Sequence, residues 1–231
     1  MKQRIILAFV AAMLCVNMTV PALAATGYAT GTVEKNDYNP VKAETQITEE
    51  KIETAVETAI EKGITTANVK VRNVKTVETE TLSKVAEAAQ EENKQAAVHF
   101  DQIKGNKVTV RITVDPAVAG KLEGNLNVYG SIEKKDIAKA DRVFDKYFSN
   151  KTEVVYLGQS GSYGMNVKIA AKVDLTDMNI ANLRFYVYNA ATNTYSKLTT
   201  GYYVDANGYL HFTTPVGGSI IISNGPLTAK S

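Results

Sequence analysis

The 231-residue chain has no tryptophan, one cysteine, two histidines and five prolines. The cysteine, Cys15, sits in the opening stretch "MKQRIILAFVAAMLCVNMTVPALAA". Lys2 and Arg4 give this stretch a positive start. Residues 5–16 form an apolar run, and Ala22-Leu23-Ala24 offers the small-x-small pattern of a cleavage site. The run falls short of the roughly 20 apolar residues that span a bilayer. A secretory signal peptide over residues 1–24 is therefore expected. Leu14 ahead of Cys15, with apolar residues behind it, speaks against a lipid-modified cysteine.

Removal of that leader leaves no cysteine, which excludes disulfides and thiolate metal sites. A secreted chain of this length must then be held by its hydrophobic core. Of the 26 Lys and Arg residues, Lys2 and Arg4 leave with the leader, so 24 basic residues face 24 acidic ones. Bulk charge then recruits neither nucleic acid nor anionic lipid. No second long apolar run follows, and the tail "NGPLTAKS" carries no sorting motif. A secreted, extracellular protein with no integral membrane segment after cleavage is expected. A zinc site needs three or four ligands. His99 and His211, without an HExxH pattern, do not supply one, and no metal or cofactor is expected.

Residues 25–45 mix Gly27, Gly31, Asn36, Asn39 and Pro40 with small and charged residues and read as a flexible linker. A helix follows, with Thr48 as cap, Glu49 and Glu50 in its first turn and Gly63 as its stop. Ile52, Ala55, Val56, Ala59 and Ile60 fall on one stripe. "NVKVRNVKTV" reads as a strand, and "TLSKVAEAAQEEN" as a second helix capped by Thr81 with Leu82, Val85, Ala86 and Ala89 inward. In "AAVHFDQIKGNKVTVRITVDP" the residues Val108, Val110, Ile112 and Val114 alternate with polar ones. Gly105-Asn106 supplies a turn, so this segment predicts a hairpin. "NLNVYGSI" reads as a short strand. "KKDIAKADRVFDKYFSN" predicts a third helix with Ile137, Ala140, Val143, Phe144, Tyr147 and Phe148 on its apolar side. "TEVVYLGQSGSYGMNVKIAAKVDLTD" reads as a second hairpin about a glycine-rich turn, echoing the first. Residues 183–223 predict an antiparallel meander, with "SIIIS" covered on both faces.

The expected class is α+β: a mainly antiparallel sheet, sandwich-like or meandering, with about three packed helices. The expected segments are an N-terminal α+β lobe at 46–131, a connecting helix at 132–150, a β-rich lobe at 151–225 and a tail at 226–231.

Half of the 12 tyrosines lie between Arg184 and Phe212. Side chains alternate across a strand. Leu183, Phe185, Val187, Leu198, Val204, Leu210 and Phe212 form the aliphatic and core-facing set. Tyr186, Tyr188, Tyr195, Tyr203 and Tyr209 fall on the other face, near Arg184, Lys197 and His211. They form either a binding platform or ordinary sheet packing, solvent-facing or under a helix.

"FYVYNAATNTYSKLTTGYYVDANGYLHFTTPVGGSIIIS" resembles the C-terminal segment of uncharacterised secreted proteins of Gram-positive, clostridial-type gut bacteria. The shared elements are YN-x-x-TN-x-Y, D-x-NGYLHFTT and G-x-IIIS. "TLSKVAEAAQ" and "VTVRITVDPA" resemble an upstream part of them. The resemblance implies location and fold style, and no catalytic residue.

"GQSGS" at 158–162 lacks the closing glycine of a nucleophile elbow and sits in a predicted hairpin. "DANG" at 205–208 lacks the later ligands of a calcium loop and reads as a turn. Glu and Asp cluster on the predicted helices with Lys three or four residues on, as on a solvated face. The expected function is a non-catalytic extracellular module binding a glycan, a cell-wall polymer or a protein. The alternatives are an extracellular enzyme and a structural or assembly protein.

Overall fold

A computed structural model describes Tyr38 and residues 45–230; the expected leader and the linker, apart from Tyr38 and Thr45, lie outside the described residues. The hydroxyl of Thr48 accepts the Lys51 N–H and caps α1 (Glu49–Glu61). Ile52, Ala55, Val56 and Ala59 are buried, whereas Ile60 turns to solvent at the last turn. Gly63, at φ +62°, reverses the chain. β1 (Thr66–Arg72) and β2 (Thr76–Glu78) follow, then α2 (Thr79–Glu91). α2 starts ahead of Thr81, the expected cap. Glu78 holds the cap position without a side-chain bond, and the Thr79 hydroxyl donates instead to the Gly124 carbonyl.

β3 (Gln95–Lys104) runs parallel to β1, with α2 in the crossover. The Gly105-Asn106 turn sends β4 (Lys107–Val114) back along β3. The short helix α3 (Pro116–Ala119) is capped by Asp115. β5 (Asn125–Asn127) pairs with β2, and β6 (Gly130–Ser131) leads into α4 (Lys134–Tyr147). The expected second hairpin is instead one 20-residue strand, β7 (Thr152–Ala171). Its glycines bend the strand rather than end it: Gly161 and Gly164 take φ +76° and +73°. The last strands are β8 (Arg184–Asn189), β9 (Thr194–Leu198), β10 (Tyr202–Val204) and β11 (Leu210–Ser223).

These strands form a nine-stranded sheet in the order β1-β3-β4-β7-β11-β8-β9, with β6 also on β7 and β10 also on β11. Among the described residues only β1 and β3 pair in parallel, so the fold is α+β with a mostly antiparallel sheet. β7 and β11 are its spine, and β11 carries register shifts between Thr214 and Gly218. The spine is folded over. Phe185 pairs with Ile222, ten positions from Phe212 on β11, yet the Phe185 and Phe212 rings lie 5.2 Å apart. A straight strand would separate those two positions by about 33 Å.

The concave side holds the main core. Val69, Val71, Phe100, Ile112, Ile169, Leu210, Phe212, Ile220 and Ile222 meet there, with Ile52, Val56, Leu82 and Val85 from α1 and α2. Strands from both expected lobes thus share one sheet and one core. α4 covers the outer side of the other half, placing Ala140, Phe144 and Phe148 on Val154, Tyr186, Tyr188 and Ile221. "SIIIS" is indeed covered on both faces.

Glu153 stands at the start of β7 on the same side as Val155 and Leu157. Burial, then repulsion from the Asp174 carboxylate, pushes its carboxyl up to about 7. It binds its proton more tightly in the folded than in the unfolded chain, whose ordinary value is 4.5. Stability attributable to Glu153 therefore falls as pH rises from about 4.5 to about 7. Glu153→Gln is expected to raise stability by about 1–2 kcal/mol at pH 8. The gain should vanish at pH 4. Urea melts at the two pH values check this, and a gain independent of pH would refute it.

Candidate functional site

The outer face of the first half of the sheet is polar, and its rows follow from the registers. Asp101 pairs with Arg111, Arg111 with Ala170, Ala170 with His211 and His211 with Tyr203. Five strands thus present an acid, a guanidinium, a gap, an imidazole and a phenol in line. Asp101 and Arg111 form a two-pronged ion pair, Nε to Oδ1 at 2.5 Å and Nη2 to Oδ2 at 2.7 Å. Asp101 is wholly buried and Arg111 is 6 % exposed.

The row is completed by Tyr38, from the segment expected to be a flexible linker. Its ring packs with the cluster of Val108, Ala170 and Tyr209. It stacks on Tyr209 at 3.6 Å between centroids, 10° from parallel. The Arg111 guanidinium lies 4.8 Å from the ring centre, in cation–π range. The hydroxyl donates to Asp205 Oδ2 at 2.8 Å and lies 2.9 Å from His211 Nε2. Burial, and then the bond to Asp205, raise the Tyr38 phenol well above its ordinary range.

Asp205 organises this corner through the β10–β11 turn. Its Oδ1 accepts the N–H groups of Asn207 and Tyr209, and its Oδ2 accepts from Tyr38 and lies 2.9 Å from His211 Nε2. Burial opposes its charge, but the bonds from His211, the Tyr209 N–H and Tyr38 outweigh it, so the carboxyl sits below its ordinary range. "DANG" is a turn, as expected, but its aspartate also holds a side-chain network. Tyr209 donates to the Val108 carbonyl at 2.6 Å. Lys172 lies over the Tyr209 ring and donates to the Asn207 carbonyl. Tyr203 stacks on His211 at 4.3 Å and 5°, with 57 % of its surface open.

An acid, a histidine and a hydroxyl invite comparison with a nucleophilic relay. Such a relay needs the carboxylate on Nδ1 and the hydroxyl on Nε2. Here Asp205 and Tyr38 both meet Nε2. The Asp205–His211–Tyr38 group is built to hold a phenol, not to pull its proton away through the imidazole.

The five sequence-predicted tyrosines do not share one open face. Tyr186 and Tyr188 lie buried beneath α4, and half-buried Tyr195 packs edge-on to Phe144 and Phe148. The Tyr188 hydroxyl donates to Asn193 Oδ1, and the Tyr186 hydroxyl accepts the Leu227 N–H. Tyr209 is buried under Tyr38, and only Tyr203 is open. All five do stand opposite the core-facing set, but two different covers lie on that face. The histidines also stand apart. His99 bonds Thr113 and Asn68, and burial, with Arg111, Lys70 and Lys168 nearby, holds it well below its ordinary range. Among the described residues no group of three or more His, Cys, Asp or Glu is placed to hold a metal ion.

Two surface clefts flank these elements. One, of about 310 Å³, lies between α1 and the edge strand β1 and is lined by Lys51, Lys62, Lys70 and several threonines. The other, of about 500 Å³, is lined by Lys172, Asp174, Leu175, Ile180, Val204 and Gly208. Among the described residues no helix is long and apolar enough to cross a membrane. Comparison with known protein families, curated proteins and solved structures gives no match.

Proposed function

We propose that this chain is a secreted, non-catalytic binding module of Gram-positive bacterial origin, which holds a glycan, a cell-wall polymer or a protein at the Tyr203 corner. The reading of residues 1–24 as a leader supports secretion, and the resemblance of residues 185–223 supports the bacterial source. The observation that carries the binding assignment is the Tyr203 ring. It is 57 % exposed and backed flat by His211. An aromatic plane held in place from behind gives contact area at low entropic cost. The shared use of Nε2 by Asp205 and Tyr38 favours binding over catalysis.

A screen of the secreted protein against glycans, cell-wall polymers and surface proteins tests this. Tyr203→Ala is expected to lower affinity for the captured ligand at least tenfold, since exposed aromatic anchors dominate such contacts. Its melting curve should stay near that of the wild type. Full affinity in the variant would remove the site.

A further inference from the structure

We propose that the pocket formed by Tyr209, Arg111, Ala170, Asp205 and His211 is a recognition site for a tyrosyl side chain, filled here by Tyr38 of the same chain. The inference rests on the reading of this corner as the binding face, and it names the ligand class as a protein or peptide bearing an exposed tyrosine.

The argument begins with the kind of contact Tyr38 makes. A ring serving only as core filler needs apolar neighbours. Besides the apolar contact with the Val108 cluster, this one has an aromatic plane below it, a guanidinium against it and a small residue, Ala170, leaving room between Arg111 and His211. Its hydroxyl is read by two polar groups, Asp205 Oδ2 and His211 Nε2. All the reading groups belong to strands or to the β10–β11 turn, and they are braced independently of Tyr38. Asp101 holds Arg111, the Val108 carbonyl holds the Tyr209 hydroxyl, and the Asn207 and Tyr209 N–H groups hold Asp205. The occupant lies 167 residues from Asp205 in sequence. A pocket braced on its own that reads ring and hydroxyl together is specific for a phenol over a phenyl ring. A phenylalanine in the same place would forgo the hydroxyl's bond to Asp205 Oδ2 in a site partly closed to water.

The test uses the secreted chain with Tyr38→Ala and two small probes, N-acetyltyrosinamide and N-acetylphenylalaninamide. Titration followed by amide NMR shifts is expected to show saturable binding of the tyrosyl probe to the variant. The phenylalanyl probe should bind about tenfold more weakly, the loss of one hydrogen bond to a carboxylate. Wild-type protein, with Tyr38 in place, should bind neither. Tyr38→Ala combined with Asp205→Ala should lose the preference for the hydroxyl. A folded Tyr38→Ala variant that binds neither probe, or both equally, overturns the proposal. If Tyr38→Ala does not fold alone, it is refolded with each probe. Recovery of the native circular dichroism with the tyrosyl probe only supports the site, and no recovery, or recovery with both, refutes it. These outcomes are independent of the Tyr203→Ala screen, so either reading can fail without the other.

Discussion

Asp101→Ala is expected to cost about 3–5 kcal/mol of stability, read from urea unfolding. The guanidinium of Arg111 is held by Asp101 at 2.5 and 2.7 Å and is nearly closed to water. Taking away the carboxylate leaves a buried cation facing an apolar methyl group. The attraction lost is modest beside the solvation that the guanidinium no longer recovers. Replacing both partners removes that penalty, so Asp101→Leu with Arg111→Met should be much closer to the wild type than Asp101→Ala alone. The effect should also reach Tyr38, whose ring lies against the same guanidinium. A double-mutant cycle between Asp101→Ala and Tyr38→Ala should therefore be non-additive. A cost below about 1 kcal/mol for Asp101→Ala would mean the pair behaves as a solvated surface bridge.

Asp101 and Arg111 show what the sequence carries and what it does not. Alternation in the sequence puts Arg111 on the outer side of its strand, and the structure places Asp101 there too, beside the core-facing Phe100. That they oppose each other depends on the β3–β4 register. The register passes through an irregularity between Gln102 and Ile103, which the Gly105-Asn106 signal alone does not reveal. The helices were legible because their apolar stripes repeat at a helical period: α4 buries Ala140 and Phe144, as expected. The sequence predicts a hairpin in place of the long strand β7 because glycine signals both a turn and a bend. The deciding factor is the partner strand. Beside Gly161 and Gly164, β11 runs on through its own irregularity and keeps β7 extended. Tyr38 left no signal at all. Its neighbours in sequence are small and polar, and the partners of its hydroxyl lie more than 160 residues away. Of the pocket, Tyr209 and His211 were legible as neighbours on one face. Asp205 was visible only as a turn residue, and the line through Arg111 and Ala170 required the strand order.

The tyrosines give the sharpest contrast between residues that look alike in sequence. Tyr188→Ala is expected to cost about 3–5 kcal/mol, as much as Phe212→Ala, because each removes a large ring from a closed core. Tyr188 is 1 % exposed and edge-on to Phe144, with its hydroxyl bonded to Asn193. Phe212 is 3 % exposed and packs on Phe185 from the other side of the sheet. The two lie in different cores, one beneath α4 and one on the concave side, so their costs should add within a few tenths of a kcal/mol. Tyr203→Ala, in the same run of sequence, should shift stability by no more than about 0.5 kcal/mol, since its ring has one face on His211 and the rest in solvent. Chemical denaturation of the three single variants and the Tyr188/Phe212 pair measures all of this. A small cost for Tyr188→Ala would mean that α4 does not close over it, and the tyrosines on that half would again be open to a partner. A large cost for Tyr203→Ala would make its ring part of the fold and take away the exposed anchor on which the binding assignment stands.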